Sequence, residues 1–318
     1  MPKTPLKDKI IHNIVNKWCE DPDQKIFTDE THSPYYGNIK DWDVSNVTNM
    51  SKLFHNKRDF NNNISNWDVS SVQNMNSMFH GAFNFNQEIG NWIVSNVTTM
   101  TSMFHNAKTF DKDISNWDVG NVKKMDSMFQ GSYFNKNISN WNVSNVISMN
   151  SMFRDNPKFN QPIQNWMKHG TGTKNVEDMS YMFFFSKTFN QDISVWDTSS
   201  VTNMSAMFYF AETFTQSIMF WKVNKTTILD YMLDLSGLFK NNFGLSTPTP
   251  NYFEFNQSPP AKLTNQSIRD VVKIWIDNPK DNIFHLTSNQ PYYGEIQRWN
   301  IREVTDMSFL FQNCISFN

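Results

Sequence analysis

Tryptophan returns along this chain at an almost constant interval, and no other feature limits its fold so severely. Trp42, Trp67, Trp92, Trp117, Trp141, Trp166, Trp196 and Trp221 are separated by steps of 25, 25, 25, 24, 25, 30 and 25 residues. Other apolar positions keep the same step. Phe60, Phe85, Phe110, Phe134, Phe159, Phe189 and Phe214 form one column, and Ile64, Ile89, Ile114, Ile138, Ile163, Ile193 and Ile218 a second. Val47, Val72, Val97, Val122, Val146, Val176 and Val201 form a third, and Met50, Met75, Met100, Met125, Met149, Met179 and Met204 a fourth. The unit reads F-N-x-x-I-x-x-W-D-V-S-x-V-x-x-M-x-x-M-F. A fixed period of this size marks a stack of repeats, each burying its apolar side against its neighbours.

Within the unit, Val47, Met50, Leu53 and Phe54 are spaced as one face of a helix. Ser45 or Asn46 precedes them as an N-cap, and Ser70, Ser95, Ser144 and Ser199 recur at that place. The segment from Phe60 to Trp67 reads as a very short strand with Ile64 inward. The pattern therefore predicts an α/β, leucine-rich-repeat-like solenoid, with one short strand and one short helix per repeat of about 25 residues. The alternative is a β-solenoid, which requires the Val-Met-Phe segments to be strands. The 24-residue step loses a residue between Phe129 and Phe134. The 30-residue step gains about five around Lys168 to Thr173, a predicted surface loop.

Residues 1–41 precede the repeat and carry Ile10, Ile11, Ile14, Val15 and Trp18, an amphipathic helical pattern suited to a cap. The repeat array is expected over 42–240 and a Pro-rich linker over 241–263. Residues 264–318 copy the cap and first repeat. Trp18 matches Trp275, Pro22 matches Pro279, Phe27 matches Phe284, and Pro34-Tyr35-Tyr36-Gly37 matches Pro291-Tyr292-Tyr293-Gly294. Trp42 matches Trp299, Met50 matches Met307 and Phe54 matches Phe311, every pair offset by 257 residues. This copy either covers the end of the array or is the beginning of a second one.

Asn61, Asn86, Asn135, Asn160 and Asn190 each follow the Phe column. Stacked amides can bond the backbone of the next repeat, so these residues are expected to form a structural ladder, continued by Asp111 and Thr215.

The string Trp42-Asp43-Val44-Ser45-Asn46-Val47-Thr48-Asn49-Met50-Ser51, followed by Phe54 and Phe60-Asn61, resembles the BspA-like leucine-rich-repeat surface proteins. Within them it looks like the branch of mycoplasma lipoproteins and of bacterial and giant-virus proteins of unknown function. The resemblance covers most of residues 36–221 and again 292–318. It implies a leucine-rich-repeat-like solenoid and, in bacterial members, surface display and adhesion. The family carries no catalytic residues to transfer.

Bulk properties narrow the partners. A formal charge of -2 leaves no basic footprint for nucleic acid or for anionic lipid. The start of the chain has no apolar core of a secretory signal, and no stretch is long and apolar enough for membrane insertion. Location is left open. Cys19 and Cys314 make no metal or disulfide pattern. His55, His80 and His105 share one column, but Gln130 and Arg154 continue it, so a metal site is not predicted. Asp43, Asp68, Asp118 and Asp197 form a broken column, read as Asx turns rather than a calcium ladder. No nucleophile or phosphate-loop motif occurs. No catalytic, cofactor or metal residue is therefore expected.

The expected function is a non-enzymatic scaffold that binds a protein partner or itself, with a structural component of a virion or envelope as the alternative. The predicted interaction face lies beside the Ile column: Asn63, Glu88, Asp113, Asn137 and Asp192, with Asn66, Asn91, Asn116, Asn140 and Asn165 nearby.

Overall fold

Ile11, Ile14, Val15 and Trp18 lie along one side of a helix, α1 (Asp8–Glu20), and all four are buried, whereas Ile10 of the same pattern faces solvent. The computed structural model describes residues 4–168, 170–218, 221–224, 226–237, 263–265, 268, 269, 271, 272 and 304–307. The chain divides into two units, Met1–Phe253 and Glu254–Asn318. The Pro-rich segment lies outside the described residues save for Leu263. So do most residues of the second cap copy, Trp275, Trp299 and the second Pro-Tyr-Tyr-Gly among them.

In the first unit, α1 covers the first repeat. Trp18 meets Trp42 edge-on at 5.8 Å between ring centres, and Phe27 of the short helix α2 (Lys25–Thr28) stacks on Trp42 at 5.8 Å. The Asp8 carboxylate accepts hydrogen bonds from the Thr48 N–H at 2.7 Å, the Thr48 hydroxyl at 2.6 Å and the Asn49 N–H at 3.1 Å. In later repeats the residue equivalent to Thr48 donates to a carbonyl of the repeat before: Gln73 to Thr48, Thr98 to Gln73, Lys123 to Thr98. Asp8 thus takes the role that the preceding repeat's carbonyl plays further along the stack. Partial burial raises its pKa, but the bonds from Thr48 and Asn49 outweigh that and hold it below the usual carboxylate value.

The same device occurs inside the second unit. Asn265 Oδ1 accepts from the Thr305 and Asp306 N–H groups at 2.8 and 3.0 Å. Leu263, Ile268, Val271 and Val272 are buried there. These positions lie 257 residues after Asp8, Thr48, Asn49, Leu6, Ile11, Ile14 and Val15. The duplication read from sequence therefore extends to an atomic contact.

Successive repeats are joined by isolated parallel bridges, Asn49 to Asn74, Asn74 to Thr99 and onward to Asn203 with Ile228. The bridges sit where a helix was expected, and Phe60 to Trp67 holds no strand. Residues 48–56 contain no helix either. Met50, Lys52, Phe54 and Asn56 donate across to the carbonyls of Asn74, Asn76, Met78 and His80 at 2.7–2.9 Å. Between them, Leu53, His55 and Lys57 donate back three residues within the repeat. Lys52 and Asn56 have φ of 59° and 58°, which interrupts any helical run. The result is a ribbon of consecutive turns.

The physical reason is donor accounting. A two-turn helix leaves most of its N–H groups without a partner and is unstable alone. The ribbon satisfies alternate donors locally and the others on the next repeat. Turns of three residues also bring i and i+3 to one side, so the apolar spacing fits both structures. No N-cap is needed. The Ser45 N–H and hydroxyl instead bond Asp43 Oδ1, and Asp68, Asp118 and Asp197 take Ser70, Gly120 and Ser199 in the same Asx turn.

The core is a set of columns. Phe54, Phe79, Phe104, Phe129, Phe153, Phe183 and Phe208 stack with centres 5.4–5.8 Å apart. Each Phe of the second column lies against the first in its own repeat, as Phe54 and Phe60 do at 3.8 Å. Every indole N–H from Trp67 to Trp221 donates to the Ile carbonyl of the preceding repeat, or to Ile39 for the first, at 2.8–3.4 Å. The insertion near Lys168 opens with a 3₁₀ turn, Gln164–Lys168, that keeps Trp166 buried. Its far end is not all surface: Gly172 and Thr173 are buried, and the Thr173 hydroxyl donates to the Asp197 carbonyl at 3.0 Å.

Candidate functional site

The predicted face reaches solvent. Asn63, Glu88, Asp113, Asn137, Asp192, Asn66, Asn91, Asn116 and Asn140 are exposed and Asn165 is half-buried. Its acceptors, however, are turned on their own backbone. Asn63, Asp113, Asn137 and Asp192 accept from the N–H groups of Ser65, Ser115, Ser139 and Ser194 at 2.8–2.9 Å. Glu88 pairs with Lys112 at 2.7 Å. These side chains hold turns in shape.

The Asn column lies beside that face. Oδ1 of Asn61, Asn86, Asp111, Asn135, Asn160 and Asn190 accepts the N–H of the next repeat, at Asn86, Asp111, Asn135, Asn160, Asn190 and Thr215, over 2.9–3.1 Å. A second amide ladder, absent from the sequence reading, runs along the other side of the Val column. Asn96, Asn121, Asn145, Asn175 and Asn224 donate to carbonyls of the preceding repeat at 2.7–2.9 Å.

The chemically distinctive surface is the outer side of the turn ribbon, and its character changes along the stack. In the first three repeats His55, His80 and His105 form a column with ring centres 4.8 and 4.3 Å apart. Among the described residues no cluster of three metal-ligating side chains occurs. Burial, then the charge of His80 and of Lys108 and Arg154, pushes His105 down to about 4. His80 is lowered by burial and by His55.

A group depressed in the folded state favours its neutral form, so its contribution is complete above the unfolded pKa of about 6.5 and is lost as pH falls toward about 4. The melting temperature is therefore expected to hold steady above pH 7 and to decline between pH 6.5 and 4. His105→Gln, which copies Gln130 of the next repeat, should flatten that decline in a pH series of thermal melts.

Further along, the same column reads Arg154, Phe184, Tyr209 and Asp234. Phe184 and Tyr209 stack at 5.1 Å, Phe185 and Phe210 at 4.7 Å, and the Arg154 guanidinium lies 4.6 Å over Phe184 and 5.4 Å over Tyr181. Tyr231 and Leu235 extend this surface, 62% and 42% exposed. Cations flank its aromatic outliers elsewhere on the ribbon, with Arg58 over Phe83 and Lys108 and Lys158 over Tyr133.

The side chains that occupy the left-handed positions set the patch apart. Tyr181, Phe185, Phe210, Tyr231 and Leu235 have φ of 57°, 55°, 58°, 57° and 59°. The sites equivalent to Phe185, Phe210 and Leu235 hold Asn56, Gly81, Asn106, Gly131 and Asp155 in earlier repeats, which tolerate that conformation, and those equivalent to Tyr181 and Tyr231 hold Lys52, Ser77, Ser102, Ser127 and Ser151. The sequence reading followed this column only as far as Arg154 and so missed the patch. The signal lay in Phe183-Phe184-Phe185 and Phe208-Tyr209-Phe210, where only the first residue of each triplet belongs to the core column.

A family model described as "Mycoplasma protein of unknown function, DUF285" matches residues 24–133, 121–171, 169–247 and 280–318. No curated protein and no solved structure matches the chain. The matches span the tryptophan-bearing repeats of the first unit and resume in the second, and the chain belongs to this family of repeat proteins.

Proposed function

We propose that the chain is a non-enzymatic scaffold for protein–protein interaction, a leucine-rich-repeat-like solenoid of the BspA-like type, with the aromatic part of the turn ribbon as its binding surface. Surface adhesion is the role that the resemblance brings with it. One observation carries the reading: bulky apolar side chains sit at solvent in left-handed backbone. That conformation costs about 1–2 kcal/mol for such residues. Earlier repeats fold with Lys or Ser at the site of Tyr231 and with Asn, Gly or Asp at that of Leu235, so folding does not require either large side chain. Strain retained where folding does not need it points to function, and exposed aromatics flanked by arginine are the usual anchors of an interface.

The alternative, a structural component of a larger assembly, is supported by the repeated cap contact at Asn265. Thermal unfolding of Tyr231→Asn and Leu235→Asn tests the primary reading. Each substitution relieves left-handed strain and is expected to raise stability by about 1 kcal/mol, or roughly 2–4 °C. A loss of similar size would mean that these side chains serve the fold, and the reading would lose its foundation.

A further inference from the structure

We infer that the partner seated on this aromatic surface is a second copy of the chain, paired face to face about a two-fold axis lying across the ribbon between Phe184 and Tyr209. The inference rests on the scaffold reading above and adds the identity of the occupant. Such an axis keeps each column on its own counterpart and reverses the order of repeats. The central column then meets itself as Arg154 on the partner's Asp234, Phe184 on the partner's Tyr209, and the reciprocal pairs.

The column is self-complementary in this sense only. It begins with a cation, ends with an anion and has two aromatic rings between them. In one flanking column Tyr181 falls opposite Ala206 of the second copy and Tyr231 opposite Ser151, so each large ring lies over a small, buried residue; in the other, Phe185 falls opposite Phe210 and Asp155 opposite Leu235. Asp234 supplies an independent observation. Its Oδ1 is buried and has no hydrogen-bond partner, a costly state for a carboxylate. Burial accordingly raises its pKa. Oδ1 is enclosed by the chain itself while Asp234 as a whole is half-buried, so a guanidinium delivered by a second copy would meet the carboxylate from its open side and offset the cost of the buried charge. Among the described residues the Arg154 guanidinium lies by its neighbour Asp155 at 3.3 Å and over the faces of Tyr181 and Phe184.

Contacts confined to one ribbon over four repeats make a small interface, so the association is expected to be weak and concentration-dependent. The test is light scattering and sedimentation equilibrium on the full chain up to about 500 µM, a range suited to weak interfaces, with circular dichroism confirming folded variants. The wild type is expected to approach twice its chain mass.

Arg154→Asp and Asp234→Arg should each weaken association by roughly a hundredfold, because the axis breaks the pair twice. The double variant, R154D with D234R, should restore it. A wild type that stays monomeric throughout overturns self-pairing but leaves the scaffold reading to the Tyr231→Asn result. A dimer indifferent to R154D, or a double variant that stays monomeric, overturns this interface.

Discussion

Replacing Trp141 by alanine is expected to lower the stability of the first unit by about 3–5 kcal/mol, the range for deleting a large buried aromatic side chain. Trp141 is fully buried in a central repeat, packed at 6.3 Å against Phe129. Its indole N–H donates to the Ile114 carbonyl at 3.1 Å. The substitution opens a cavity and strips that buried carbonyl of its partner. Because each repeat is stabilised largely by its neighbours, the damage falls on two interfaces at once. Chemical denaturation should show a lower midpoint and a shallower or split transition, as the two halves of the stack uncouple. Trp141→Phe separates the two effects, since it keeps most of the ring and loses only the donor, at about 1–3 kcal/mol. A loss below about 1 kcal/mol for the alanine variant would mean that the tryptophan column is not the spine of the stack.

Asn160→Ala is expected to cost about 2 kcal/mol through hydrogen bonding alone. Asn160 Oδ1 accepts from the Asn190 N–H at 2.9 Å and from Gln191 Nε2 at 3.0 Å. The residue is half-buried, so water replaces the lost acceptor only in part. Asp111 occupies the same column two repeats earlier and accepts the Asn135 N–H at 2.9 Å. Asn160→Asp should therefore be nearly neutral at pH 7, while Asn160→Leu, similar in size but without an acceptor, should match alanine. Equilibrium denaturation of the three variants distinguishes an acceptor role from a packing role. Equal effects of Asp and Leu would refute the ladder as a source of stability.

Much of the architecture was legible in the chain because repetition states it many times. The core columns read from Trp42 to Trp221 are the buried columns, and the Asn column following Phe60 bonds from repeat to repeat. The cap residues Ile11, Ile14, Val15 and Trp18 were readable from a helical period that a lone amphipathic helix must have. Duplication of the cap was readable to the residue, and Asn265 repeats the contact made by Asp8.

The local backbone of the repeat was not legible in the same way. Val47, Met50, Leu53 and Phe54 satisfy a helix and a ribbon of three-residue turns equally well, because both return every third residue to the same side. What separates them is the fate of the N–H groups, and the partners of Met50, Lys52, Phe54 and Asn56 belong to the next repeat. A hydrogen bond across 24 residues leaves no periodic trace within one unit.

The polar face beside the Ile column shows the same limit from the other side. Asn63, Asp113, Asn137 and Asp192 were identified as exposed, but their side chains close turns. By itself, then, the sequence determined the period, the buried columns, the cap and its copy, since each follows from where apolar side chains must go to leave water. Only the tertiary structure decided that Lys52 and Asn56 turn left-handed, and that Tyr181, Phe185, Phe210, Tyr231 and Leu235 later occupy those two kinds of site. It also decided that Arg154, Phe184, Tyr209 and Asp234 form one outward column. Backbone handedness and the side a residue faces depend on bonds to neighbouring repeats, and those exist only once the stack has formed.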